Sequence, residues 1–169
     1  ETYGMTETAT HIAVKRVSKN DSISTPFKVL NGVSISTDLN NCLVISVPSI
    51  TKNKIITNDI VKIKSNNEFH LIGRADNVIN SGGVKLSPED IERKLSKYIS
   101  KNYIISSLKD DVLGEKLILI IESKKYKFNE SIFNSLNKFE KPKEVYFINK
   151  FIYTKSKKID RINTKLTIK

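Results

Sequence analysis

The sequence predicts an α+β fold in two parts: a β-rich amino-terminal segment, then a small mixed α+β domain. Three observations predict it. Up to Arg74 the apolar residues come in short β-branched or aromatic runs, separated by turn residues. Beyond Arg74, apolar residues first fall at helical spacing, at Ile91, Leu95, Tyr98 and Ile99. Between these regimes lies Gly73 to Glu92, which packs Arg74-x-Asp76, the pair Gly82-Gly83 and a helix start into one span. Such a joint suits a site more than a core, because glycine permits positive φ and close approach of backbone to a ligand.

In the first part, Val33–Ser36, Leu43–Val47, Ile60–Ile63 and Phe69–Ile72 read as strands, punctuated by Asn31-Gly32, Asn40-Asn41 and Asn66-Asn67. Thr57-Asn58-Asp59 is then a polar trio between apolar strands, facing either a turn or a ligand. Arg74 and Asp76, two apart, would share one face of an extended backbone. In the second part, Ser87 reads as an N-cap, Pro88 as the first helical residue, and Asp90 as the acid three after the cap. The helix is expected to run from about Pro88 to Ser100. Tyr103–Leu108 and Leu117–Glu122 follow as strands, Asn129 caps a second helix through Ile132, Phe133 and Leu136, and Val145–Ile148 is a last strand.

The composition is that of a globular chain: 169 residues, 38% hydrophobic and 28% charged. No apolar run approaches the roughly 18 residues of a membrane span, and no signal peptide is visible, so a cytoplasmic location is expected. The single cysteine, Cys42, excludes an intrachain disulfide, and its apolar neighbours predict a buried, inert thiol. The net charge of +11 is concentrated at the end, where Lys138 to Lys169 carries ten basic residues against Glu140, Glu144 and Asp160. A basic tail attracts polyanions, and an Ile-, Lys- and Asn-rich composition explains the same charge without any ligand. His11 and His70 have no partners at metal-ligand spacing and read as structural. Gly82-Gly83 lacks G-x-G-x-x-G, and no P-loop is present.

Three further groups carry chemistry. Tyr3-Gly-Met-Thr-Glu7 offers an aromatic face, a hydroxyl donor and a carboxylate suited to Mg²⁺. Asp59 places acceptors where they could take a ribose. Thr154-Lys-Ser-Lys-Lys-Ile-Asp-Arg161 presents adjacent ammonium groups, point charges suited to a phosphate or a developing oxyanion. Each alone has an ordinary reading as turn or solvated surface.

In this order and spacing the groups resemble the motifs of the adenylate-forming family: acyl- and aryl-CoA ligases, luciferases and peptide-synthetase adenylation domains. Tyr3 to Glu7 looks like Y-G-x-T-E, and Thr57-Asn-Asp59 looks like T-G-D. Gly73-Arg-Ala-Asp76, through Gly82-Gly83 to Pro88-Glu-Asp-Ile-Glu92, looks like G-R-x-D-x-I…G-G…P-x-E-I-E. Thr154 to Arg161 looks like T-x-S-G-K-I-x-R. Within the family, Tyr3 to Ala9 and Thr57 to Lys85 are most similar to the o-succinylbenzoate–CoA ligases of menaquinone biosynthesis.

The resemblance implies adenylation of a carboxylate by ATP, then thioester formation with coenzyme A. It implies nucleotide binding by Tyr3 (on adenine), Gly4, Thr6 (at the α-phosphate, catalytic), Asp59 and Arg74 (on ribose), and Mg²⁺ at Glu7. Asp76 would be a hinge between the half-reactions. Gly82, Gly83 and Lys85 would serve thioester formation, and Lys158 would neutralise charge during adenylation. Residues 1–75 would then be the end of the large AMP-binding domain and 76–169 a mobile lid. The family's phosphate loop lies upstream of Y-G-x-T-E, so the chain is expected to be a carboxyl-terminal portion, inactive in adenylation by itself. The partners implied are a small carboxylic acid, ATP and coenzyme A, with no nucleic acid and no membrane.

Three departures stand out. Asn58 replaces a glycine, Ile152-Tyr153 stands where Pro-Lys is common, and Lys157 replaces the glycine before the lysine. Two other readings remain open at this point: an adenylation domain serving a different acid or a carrier protein, and a basic nucleic-acid-binding module. The second lacks the interleaved aromatics of a base-stacking platform.

Overall fold

The computed structural model describes residues 1–17, 25–124 and 129–168. The carboxyl-terminal Lys169, last cation of the basic tail, lies outside them. The chain forms two compact units, Glu1–Asn77 and Val78–Lys169. The fold is α+β and rich in strands.

In the first unit the strands are β1 (Thr2–Gly4), β2 (His11–Val14), β3 (Phe27–Val29), β4 (Ser34–Thr37), β5 (Cys42–Ser46), β6 (Ile55–Ser65) and β7 (Glu68–Arg74). They make one antiparallel sheet in the order β1-β2-β3-β7-β6-β5-β4. Its core gathers Tyr3, Ile12, Phe27, Leu43, Ile45 and Phe69. Phe27 and Phe69 stack with centroids 5.5 Å apart, and Tyr3 meets both edge-on at 5.8 and 5.4 Å. The Asn turns sit where expected. At the β4–β5 turn, Asn41 adopts φ 60°, and Asp38 Oδ1 accepts from the amides of Asn40 and Cys42, both at 2.8 Å. Cys42 is buried.

The first unit departs from expectation at Thr57-Asn58-Asp59. The trio is not a break between strands. It lies inside the 11-residue β6, whose flanks are paired by β5 and β7. Ladder pairing on both sides overrides the turn preference of Asn-Asp. Strands β1, β2 and β3, of three or four residues each, were not anticipated.

The second unit contains β8 (Ile79–Ser81), β9 (Val84–Leu86), helix α1 (Pro88–Leu95), β10 (Tyr103–Asp110), β11 (Gly114–Glu122), β12 (Glu144–Ile148) and helix α2 (Arg161–Leu166). The sheet order is β10-β11-β8-β9, with β12 parallel to β11 and the other pairs antiparallel. The run Leu117–Ile121 is continuously apolar because β11 is buried on both faces. Leu117, Leu119 and Ile121 join Ile91 and Leu95 of α1, while Ile118 and Ile120 pack with Ile104 and Phe151.

Helix α1 stops at Leu95 rather than Ser100. Ser96 Oγ donates to the Arg93 carbonyl at 2.7 Å and the Ser96 amide turns to the same oxygen, so the last turn tightens and ends. Pro88 does open the helix, but Ser87 makes no side-chain cap; its hydroxyl donates to Glu89 at 3.3 Å. Asn129 caps as expected, accepting from the Ser131 amide at 2.9 Å, yet the element it caps is a 3-10 turn, Glu130–Ser135. It closes by i→i−3 bonds, such as Leu136 N–H to Phe133 O at 3.1 Å, too short for an α-helix to propagate. Helix α2, capped by Asp160 accepting from the Asn163 amide at 3.0 Å, was not anticipated.

Candidate active site

Three of the sequence motifs meet at one carboxylate. Register in the β6–β7 ladder sets Asp59 directly opposite Arg74. Asp59 Oδ1 accepts from Arg74 at 3.2 Å, and Asp59 Oδ2 accepts from the Tyr3 hydroxyl at 2.5 Å. The other guanidinium nitrogen of Arg74 reaches Asp76 Oδ2 at 2.6 Å. Arg74 ends β7, and Asp76 lies in the 3-10 turn Ala75–Asn77, so the two are brought together by that turn rather than by a shared strand face. Thr57 contributes from below: its buried hydroxyl accepts from the Asp59 amide at 3.1 Å.

Tyr3 is buried at 8% exposure, with its ring in the aromatic trio and its hydroxyl committed to Asp59. Burial, with the Asp59 carboxylate beside it, holds the phenol well above the usual tyrosine range. It is therefore a donor at neutral pH. A carboxylate offers about four lone-pair sites, so Asp59 keeps acceptor capacity beyond these two bonds.

Gly4 has a steric role. A Cβ there would lie 2.6 Å from the Thr10 carbonyl oxygen, because β1 passes close to the backbone leading into β2. The chain then enters a 3-10 turn, Thr6–Thr8, leaving Thr6 and Glu7 exposed and Thr8 buried. The Thr8 hydroxyl fastens the turn: it accepts from the Met5 amide at 3.1 Å and lies 2.9 Å from the Met5 carbonyl and 2.8 Å from that of Thr10. A lone exposed carboxylate such as Glu7 fits Mg²⁺, which commonly takes one or two carboxylates and completes its shell with phosphates and water. Among the described residues no group of three His, Cys, Asp or Glu side chains could hold a metal by itself. Nor, among them, is any helix long and apolar enough to cross a membrane.

In the second unit, Gly82 and Gly83 form the tip of the β8–β9 hairpin with φ of 57° and 83°. Two successive positive φ values match the twist of the paired strands and require glycine-like residues. Lys85 lies on β9 and is exposed, between Val84 and Leu86 on the other face.

Lys158 is also exposed, on a turn closed by the Tyr153–Ile159 bridge. Thr154 N–H donates to the Lys158 carbonyl at 2.8 Å, and Thr154 Oγ1 accepts from the Lys158 amide at 3.2 Å. Lys157 occupies the left-handed region at φ 61°. That is the conformation a glycine would take freely, and a side chain there costs about 1–2 kcal/mol.

Two glutamates without an assigned role stand around this turn. Glu92 of α1 binds Arg161 through both oxygens, at 2.8 and 2.6 Å, and accepts from the Ile105 amide at 2.7 Å. Burial pushes the Glu92 carboxyl up, and Arg161 and the Ile105 amide pull it partly back. Glu122, at the end of β11, accepts from the Phe151 amide at 2.7 Å, from Asn102 at 2.6 Å and from the Tyr153 hydroxyl at 3.0 Å. The Phe151 amide, then Asn102 and Tyr153, hold Glu122 below the usual carboxylate range. Opposite charges 69 residues apart gave no local signal of the Glu92–Arg161 pair.

No family model matches the sequence. The acyl-CoA synthetase ALT10 of Alternaria alternata is 27% identical over 112 residues, which is 60% of this chain and 20% of that protein. A solved structure, an acyl-CoA synthetase (AMP-forming)/AMP-acid ligase II-like protein from Dyadobacter fermentans, is 34% identical with a TM-score of 0.54. The match covers 99% of this chain and 50% of that one. O-succinylbenzoate coenzyme A synthetase (MenE) from Bacillus subtilis, in complex with ATP and magnesium ion, aligns at a TM-score of 0.79 and 18% identity, over 98% of this chain and 41% of that one. The fold is that of the carboxyl-terminal part of adenylate-forming enzymes. More particularly, the Alternaria and Dyadobacter proteins point to AMP-forming acyl-CoA synthetases, and this chain spans 20% of the first protein and 50% of the second.

Proposed function

We propose that this chain is part of an ATP-dependent acid–CoA ligase, and that the whole protein joins o-succinylbenzoate to coenzyme A. The substrate carboxylate would attack the α-phosphate of ATP, releasing pyrophosphate and leaving an acyl-adenylate. The thiol of coenzyme A would then displace AMP. The observation that carries the reading is the meeting of Tyr3 and Arg74 on Asp59, with Asp76 on the far side of Arg74, since Tyr3, Asp59 and the Arg74–Asp76 pair belong to three separate motifs of the resemblance.

In this reading Asp59 and Arg74 take the ribose hydroxyls, with the remaining lone pairs of Asp59 as acceptors. Tyr3 forms the adenine wall, backed by Phe27 and Phe69. Gly4 keeps the backbone thin, and Thr6 donates to the α-phosphate. Mg²⁺, held by Glu7 and the phosphates, would supply charge neutralisation. Lys158 adds a positive charge at the reacting carboxylate and α-phosphate. Gly82, Gly83 and Lys85 serve the thioester step, and Asp76, two residues before the second compact unit begins, is the hinge. Residues 1–75 would close the large AMP-binding domain and 76–169 would form the mobile lid. The preference for o-succinylbenzoate rests on the runs Tyr3 to Ala9 and Thr57 to Lys85.

The test uses the full-length protein and ATP–pyrophosphate exchange across a panel of aryl and alkyl acids. Exchange should be fastest with o-succinylbenzoate. Lys158→Ala should slow it by about 100-fold or more, yet spare thioester formation from a supplied acyl-adenylate. Equal loss of both half-reactions counts against a role of Lys158 confined to adenylation. Faster exchange with another acid reassigns the substrate.

A further inference from the structure

The Tyr153–Ile159 turn is exposed, and it holds Lys157 in a conformation that side chains disfavour. Strained backbone persists only where its surroundings over-determine it. Here the surroundings are two carboxylates from other elements, one on each stem. On the entering stem, Glu122 accepts from the Phe151 amide at 2.7 Å and from the Tyr153 hydroxyl at 3.0 Å. Asn102 braces both, donating to Glu122 at 2.6 Å and to the Tyr153 oxygen at 3.1 Å. On the leaving stem, Arg161 is gripped by both oxygens of Glu92, and its guanidinium also donates to the Ile105 carbonyl at 3.2 Å. Between the stems, Thr164 Oγ1 accepts from the Ile152 amide at 3.1 Å, and Asp160 N–H donates to the Ile152 carbonyl at 2.8 Å. Bidentate and charge-assisted bonds of this kind fix direction as well as distance.

We propose that Glu92 and Glu122 are positioning residues that clamp the two stems of this turn, hold Lys157 in its left-handed conformation and thereby fix the backbone that presents Lys158. Neither carboxylate needs to touch a ligand for this. The consequence for catalysis rests on the ligase reading above; the clamp itself does not.

The clamp predicts a coupling that a merely stabilising role would not produce. A glycine at 157 adopts the left-handed conformation without constraint, so Lys157→Gly should make the turn independent of either glutamate. The experiment uses this chain and follows trypsin cleavage after Lys155 and Lys158, together with hydrogen exchange of the Lys158 amide and of the β10–β11 ladder. Cleavage tracks local opening when reclosing is fast. Glu122→Ala and Glu92→Gln should each raise cleavage at these sites about tenfold, with ladder exchange unchanged, and added Lys157→Gly should return it towards the parent rate. Tyr153→Phe, a mild change at an exposed position, should give a rise of about threefold and guards against variants that fail to fold. Unchanged cleavage in Tyr153→Phe and both glutamate variants would overturn the proposal. So would a rise shared by the ladder, or a rise that glycine does not rescue. In the full-length ligase, the same glutamate variants should lower kcat for adenylation at unchanged KM for ATP, again with rescue by Lys157→Gly. Local opening with full adenylation activity would remove Lys158 from the chemistry and leave the clamp standing.

Discussion

The Asp59 cluster and the Lys158 turn solve the same problem, the holding of charged side chains in place, by different means. At Asp59 the means is register. Two long neighbouring strands put Asp59 across from Arg74, and an aromatic core presses Tyr3 against them. At Lys158 no ladder runs through the turn beyond one bridge, and carboxylates from α1 and β11 act as struts. Register makes a site whose geometry is as stable as the sheet. Struts make one that can be loosened without unfolding anything else.

The sharpest way to break the comparison is to remove the packing under the first site. Phe69→Ala should cost about 3–5 kcal/mol, because a fully buried ring in contact with Tyr3 and Phe27 leaves a cavity. Denaturant midpoints read by exchange of the β6–β7 amides measure it, and a loss under about 1 kcal/mol would mean that the stack is not what holds Tyr3.

A smaller effect is expected from Asp59→Ala, about 1–3 kcal/mol, since the buried Tyr3 hydroxyl loses its acceptor. Adding Tyr3→Phe should recover part of that loss by removing the stranded donor. A double-mutant cycle with no coupling would show that the two groups do not depend on each other.

Smallest is the pH dependence of the second unit. Glu115 is depressed by the Ser107 hydroxyl and the Asn80 amide, and Glu122 by the Phe151 amide, Asn102 and Tyr153. A carboxylate whose folded pKa lies below the unfolded value near 4.5 stabilises the fold above that pH, and the contribution is lost as pH falls through the folded value. Melting of the protein should therefore fall between pH 5 and pH 3, and Glu115→Gln should flatten that fall. A variant curve parallel to the parent's would rule Glu115 out as a source.

The two sites also differ in how much of them the sequence disclosed. Tyr3, Asp59, Arg74 and Asp76 each stand out in the sequence, because each sits beside a glycine or a turn residue that marks it. Their meeting point was hidden, since it depends on the β6–β7 register, and the apolar run in β6 is shorter than the strand itself. Lys158 stands out as well, along with the oddity of a lysine at 157. The struts do not. Glu92 and Glu122 look like ordinary acids at the end of a motif and of a strand, and only long-range folding brings Arg161, Phe151 and Tyr153 to them. The apolar run of β11 was legible for the opposite reason: burial on both faces writes itself directly into composition.

That run also governs the order in which the second unit can assemble. β10 and β11 are separated only by Asp111 to Leu113, so this hairpin can zip locally and early. The parallel partner β12 begins at Glu144, and Phe151, which covers Ile118 and Ile120, comes later still. During synthesis the hairpin therefore emerges with one apolar face bare until the chain has been made past Phe151. A ribosome paused in that interval would expose a flat, hydrophobic ribbon to its neighbours, and a chaperone would find its substrate there.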